Sequence, residues 1–201
     1  TSAELSPIGV LANYDITYNT ANFTIAPKPI TISPNSGQTK MFDALDPLPF
    51  TYSHTELVGT DTISGTLGRE PGENAGTYAY TLGSLAAGTN YTLSMASSPA
   101  TFSITAKPIT VTADAGQSKV FGASDPTFTY MSSDTNATFT GALNRVEGED
   151  VGSYAIGQGT LAVVGSNYNM SFVPNDFSVT AKPITVTADA GQSKICGTVD
   201  A

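Results

Sequence analysis

Acidic clusters occur at Glu70 with Glu73 and at Glu147 with Glu149 and Asp150. Paired carboxylates are the equipment of a glycosidase, in which one donates a proton while the other attacks or activates water. Here each group lies beside glycine in an expected turn, and both halves of the chain carry the same group. They are therefore read as solvated turn charges. His54 is the only histidine. A lone imidazole builds neither a triad nor a zinc site, and His54 is read as a surface residue. Cys196 is the single cysteine, which excludes an intrachain disulfide and a Cys-rich metal site. Calcium requires only oxygen, and the candidate ligands are Asp114 and Asp189 with backbone carbonyls near the joints between units. No Asp-x-Asp-x-Asp-Gly loop occurs, and an earlier copy has Pro34-Asn35 near the equivalent place, so no metal and no other cofactor is expected. Lys40 and Lys119, with Asn90 and Asn167, are the residue types of a Lys-to-Asn isopeptide crosslink. Both asparagines precede tyrosine at an expected turn, where Asn satisfies local backbone. Asp46-Pro47 and Asp125-Pro126 are read as turn punctuation. Tyr91 and Tyr168 are read as core residues of a penultimate strand rather than exposed platforms for a sugar. No catalytic constellation remains, and the chain is not expected to be an enzyme.

The elements that position these residues are strands. Only 12% of the 201 residues are charged, and Thr, Ser, Gly, Ala and Asn fill the space that helix-forming Lys, Glu and Arg would occupy. No window shows apolar residues at helical spacing over three turns. The formal charge of −9 would repel a phosphate backbone, so nucleic acid is excluded as a partner. No apolar run approaches the roughly 18 residues of a membrane span, so membrane insertion of this segment is not expected. The first residues lack the layout of a signal peptide.

Self-similarity organises the chain. KPIT occurs at Lys28–Thr31, Lys107–Thr110 and Lys182–Thr185, and TAKPITVTADAGQSK runs from Thr105 to Lys119 and again, unchanged, from Thr180 to Lys194. The pairs Asp46-Pro47 and Asp125-Pro126, GENAGTYAY and GEDVGSYAI, and Asn90-Tyr91 and Asn167-Tyr168 follow in the same order. Four segments result: 1–27, the end of a preceding repeat; 28–106 and 107–181, complete repeats; and 182–201, the start of another. The chain thus reads as excised from something longer, and its partial repeats are expected to present unpaired strands that invite a neighbouring repeat of the same or a like chain. In the second repeat, period-two alternation predicts strands near 108–113, 117–121, 127–131, 137–143, 152–157, 167–172 and 176–181. Ile109, Val111, Ala113, Phe177 and Val179 are the expected core. Pro29, Pro108 and Pro183, each directly after Lys at the start of a repeat, leave no flexible linker and predict stiff joints and a rod.

The GENAGTY and GEDVGSY segments resemble the run in immunoglobulin-like sandwiches where a tyrosine bonds back to the loop before it. Tyr78 and Tyr154 would be those structural tyrosines. With KPIT, GQSKVFGASDP, FTGALNR, GEDVGSYAI and SNYNMSF in order, the unit resembles the MBG family of bacterial adhesin repeats. That resemblance implies an all-β fold of tandem small sandwiches, immunoglobulin-like or a β-grasp variant. It also implies placement in long, secreted or surface-anchored proteins as a stalk or fibre, with no catalytic residues; multivalent binding of a glycan or mucin is the alternative. The first repeat departs by having Asp43 where the second has Gly122, losing the residue that most freely takes a positive φ.

Overall fold

In a computed structural model of the chain, residues 14, 15, 17 and 19–197 are described. Among them every regular element is a strand. The first unit contains β1 (Lys28–Pro34), β2 (Thr39–Met41), β3 (Tyr52–His54), β4 (Gly68–Arg69), β5 (Gly76–Thr81), β6 (Tyr91–Met95) and β7 (Thr101–Thr105). The second contains β8 (Lys107–Ala113), β9 (Ser118–Val120), β10 (Tyr130–Ser132), β11 (Phe139–Thr140), β12 (Asn144–Arg145), β13 (Gly152–Gly157), β14 (Ala162–Val163), β15 (Tyr168–Val173) and β16 (Asn175–Thr180).

Each unit has two main sheets of matching order. The first unit pairs β3-β1-β6 and β2-β7-β5-β4, and the second pairs β10-β8-β15 and β12-β13-β16-β9. The second unit adds the small pair β11-β14, which the first reduces to a single bridge between Ser64 and Ala86. Each main sheet contains one parallel pair: β1 with β6 and β2 with β7, then β8 with β15 and β9 with β16. Immunoglobulin sandwiches are built from antiparallel sheets, so the all-β tandem architecture is reached here with a pairing of its own.

Alternation places the core. Ile109, Val111 and Ala113 point inward from β8, and Phe177 and Val179 from β16, all of them buried. Ile30, Ile32, Phe102 and Ile104 do the same in the first unit. The two cores are separate clusters, one per unit.

Proline at the second position of β1 and β8 costs no hydrogen bond. Lys28 and Lys107 donate N–H groups toward β6 and β15, so the next nitrogen faces the other side, where pairing with β3 and β10 has not begun. Asp43 takes a φ of 69°, the only positive value outside glycine among the described residues, and its counterpart Gly122 takes 81°. Aspartate is one of the few residues besides glycine that enter this region, and Ala44 and Ala123 close the turn with matching N–H bonds to Met41 and Val120, so loss of the glycine has not altered it.

The end segments differ from expectation. Part of each lies outside the described residues, and the rest, through Pro27 and from Ala181 to Gly197, forms no strand. Phe23, Ile25, Ile184 and Val186 are exposed, although Phe102, Ile104, Ile109 and Val111 at the matching positions are core. A strand is held by its place in a sheet and by an apolar face packed on a core, and these exposed side chains pack on neither core. Pro183 accordingly sits in non-strand chain.

Phe177 is fully buried, edge-on to Phe128 at 5.3 Å. Its replacement by alanine should cost about 3–5 kcal/mol. In urea unfolding followed by residue-resolved NMR, the second unit's midpoint should fall while the first unit's moves little.

Candidate functional site

The densest polar chemistry in each unit is a four-charge cluster that draws together segments remote in sequence. In the first unit, Lys40 on β2 and Arg69 on β4 face Asp46 and Glu73 from two loops. Lys40 Nζ lies 3.0 Å from Asp46 and also pairs with Glu73; Arg69 reaches Asp46 at 2.8 Å and Glu73 at 2.7 Å. The second unit repeats it: Lys119 lies 2.7 Å from Asp125 and 2.5 Å from Glu149, and Arg145 lies 2.6 and 2.7 Å from the same two acids. Both arginine side chains are under a tenth exposed, while Glu73 and Glu149 close the cluster from the solvent side.

Every N–H of each guanidinium is used. Arg69 donates Nε and one Nη2 proton to the two oxygens of Asp46, the second Nη2 proton to Glu73, and its Nη1 protons to the carbonyls of Glu70 and Gly72. Arg145 does the same with Asp125, Glu149, and the carbonyls of Val146 and Gly148. Five donors in a rigid fork are what a guanidinium offers. The plane also packs on aromatic faces, 5.2 Å from the Tyr78 ring centre and 5.1 Å from Phe102, with Tyr154 and Phe177 in those places in the second unit.

The GENAGTY motif builds the loop around this guanidinium. Gly72 turns at φ 147° so that its carbonyl meets Arg69; a Cβ there would fall 2.2 Å from the Tyr78 ring. Glu73 supplies an anion. Tyr78 donates its hydroxyl to the carbonyl of Asn74, and Tyr154 likewise to Asp150.

The charges tune one another. Hydrogen bonding from Arg69, then from Lys40, holds the Asp46 carboxyl below its usual range against the opposing effect of burial. Asp125 is held at about 2, chiefly by Arg145 and then Lys119. Lys40 is pushed up, first by Glu73, and Lys119 first by Asp125. For a lysine to acylate itself on a neighbouring carboxyl, the amine must lose a proton and the acid gain one. Both groups are driven the other way, so the cluster is chemically locked as ion pairs. With all five donors used, the guanidinium has no spare N–H for an anionic ligand.

Several sequence readings are corrected. Asp46 and Asp125 are ion-pair partners as well as turn residues, and Glu73 and Glu149 are more than solvated turn charges. Asn90 and Asn167, read as turn residues rather than crosslink partners, accept bonds through their carbonyls from the backbone of Lys28 and Lys107. Arg69 and Arg145, the centres of the clusters, carry no sequence signal beyond the arginine that recurs before each acidic turn. Among the described residues no three His, Cys, Asp or Glu side chains are grouped to hold a metal. Asp114, weighed above as a calcium ligand, follows β8 at the end opposite Lys107, about 20 Å along the strand from the joint. His54 is exposed on β3, and Cys196 is exposed.

The joint is a second polar site. A single residue, Ala106, separates β7 from β8. Across it Asn167 accepts the Ala75 N–H at 2.8 Å and donates to the Asn74 side chain at 2.9 Å. Phe42 meets Tyr168 edge-on at 5.4 Å. Lys107 bridges Asp43 of the first unit at 3.4 Å and the buried Asp134 of the second at 2.7 Å. Tyr168 is thus a joint residue, whereas Tyr91 is half-buried against the first core with its hydroxyl donating to Asp61 at 2.6 Å.

Compared with known proteins, the family model described as the MBG domain, YGX type, matches residues 30–103 and again 109–178. No curated protein matches the chain, and no solved structure does.

Removing Arg69 as methionine leaves Asp46 with Lys40 alone and strips two loop carbonyls of their donor, and should cost roughly 3–5 kcal/mol in urea unfolding. Arg69→Lys should recover only part, because an ammonium cannot reproduce the fork. Acid should act through the same carboxylates. Asp125, ordinarily near 3.8 and here about 2, stabilises the fold in full above the higher value and loses that contribution as pH falls through the lower. The melting temperature of the second unit should therefore drop between about pH 4 and 2, and less steeply in Arg145→Met.

Proposed function

The chain belongs to the MBG domain family of YGX type, and we propose that it serves as a non-enzymatic spacer in a long secreted or surface-anchored bacterial adhesin or fibre. The observation that carries this reading is the joint. Two self-contained cores meet with one intervening residue and are bound by hydrogen bonds, an aromatic contact and an ion pair. Such a joint makes beads into a stiff series in which each unit touches only its neighbours, so length is gained by repetition. The charge clusters serve rigidity within a bead, their guanidinium donors all engaged and their lysines held in ion pairs.

Extracellular placement is supported by the family and by the acidic, Thr- and Gly-rich composition. No helix among the described residues is long and apolar enough to cross a membrane. The alternative of a glycan site on every bead draws little support. It would need an exposed aromatic repeated in register, and Tyr168 is covered by Phe42 while Tyr91 is engaged with Asp61.

Residual dipolar couplings on the full chain test the spacer reading. Both units should fit a single alignment tensor, unchanged by adding calcium, and Asn167→Ala should separate them into two. Independent tensors in the unaltered chain would sink the stiff-spacer reading, and a single tensor appearing only with calcium would move function toward a metal-gated joint.

A further inference from the structure

The face that receives the second unit on the first is built again on the second unit, where no described residue occupies it. Phe42 donates its N–H to Thr105, the last residue of β7, at 2.8 Å; Phe121 donates to Thr180, the last residue of β16, at 2.8 Å. Tyr78 holds the Asn74 carbonyl and Tyr154 the Asp150 carbonyl. The two faces therefore share their backbone. Phe42 is half-buried under Tyr168, whereas Phe121 is 46% exposed, and Val151, in the place of Ala75, is 60% exposed. The structure shows no acceptor for the Val151 N–H among the described residues, while the matching Ala75 N–H bonds Asn167.

From this geometry we infer that Phe121, Asp150 and Val151 form a docking surface for the front end of a further repeat, carried in series from Lys182. The inference rests on the spacer reading and names the partner of its next joint. The occupant follows from chemistry on both sides. Lys182–Lys194 repeats Lys107–Lys119 without a change, so the arriving front end begins as the second unit's does. Completed as that unit is, it brings an Asn-Tyr pair. The tyrosine covers Phe121, and the asparagine oxygen accepts the Val151 N–H. The asparagine amide donates to Asp150, whose carboxylate is a stronger acceptor than the Asn74 amide it replaces. One contact is lost. Gly122 stands where Asp43 pairs with Lys107, so Lys182 meets no acid from the second unit at that position, and this joint is weaker and less sensitive to salt than the first. So small a surface holds because the chain tethers it at high effective concentration.

The test lengthens the full chain by exchanging residues 195–201 for residues 120–181, which completes a third unit identical to the second. Amide hydrogen exchange is read by NMR. The added sequence already folds as the second unit, and its strand amides report that it does so again. In the lengthened chain the Val151 N–H should exchange about tenfold more slowly than in the original, and Phe121→Ala should abolish that protection. High salt should weaken protection of Ala75 more than of Val151. Val151 remaining unprotected beside a folded third unit overturns the docking surface, and continued protection of Ala75 in that sample would leave the spacer reading intact. Phe121→Ala in the original chain should not move the unfolding midpoint; if it unfolds the second unit, Phe121 belongs to the core and the proposal fails.

Discussion

One guanidinium in each unit, enclosed and fully hydrogen-bonded, is the constraint on which the remaining architecture turns. Taking a cation out of water is costly, and the cost is offset only where every donor finds an acceptor in good geometry. Arg69 and Arg145 meet that condition with five bonds each, drawn from an Asp-Pro loop, a Gly-Glu loop and their own strand's exit. Because the fork is planar and rigid, each of those loops has one acceptable position. The lysine on the neighbouring parallel pair completes charge balance, so two cations face two anions in each unit.

That constraint extends to the joint through a short mechanical chain. The arginine holds the Gly72 carbonyl, the Tyr78 ring lies against the guanidinium, and the Tyr78 hydroxyl holds the Asn74 carbonyl. Asn74 and Ala75 then present the side-chain amide and N–H that Asn167 engages. The loop that docks the next unit is thus positioned from inside the preceding one. Asp43, held at positive φ, adds its carboxylate to the Lys107 pair from the same end of the unit.

The strand pattern was largely legible. Strands expected at 108–113, 152–157 and 176–181 appear at Lys107–Ala113, Gly152–Gly157 and Asn175–Thr180, because alternating apolar residues announce an inward face directly. The short strands β12 and β14 were not anticipated, since two residues carry no readable period. The clusters were half legible. Lys40, Asp46, Glu73 and their counterparts stand out as recurring residues, yet nothing in their spacing says that they meet. Arg69 and Arg145 are not legible, because a single arginine near a turn looks like any surface cation until its burial is known.

By itself the sequence determined what depends on near neighbours and repetition: an all-β chain, a unit of about 75–80 residues copied in tandem, the inward faces of β8 and β16, and the absence of a flexible linker. Tertiary structure alone decided what depends on residues brought together from afar. It chose the parallel pairings, joined Lys119 to Glu149 across 30 positions, and set Phe42 of one unit against Tyr168 of the next. The physical reason is the range of each effect. Alternation acts over two residues and is written along the chain, whereas the partner of a buried charge is fixed only when sheets cross and exclude water around it.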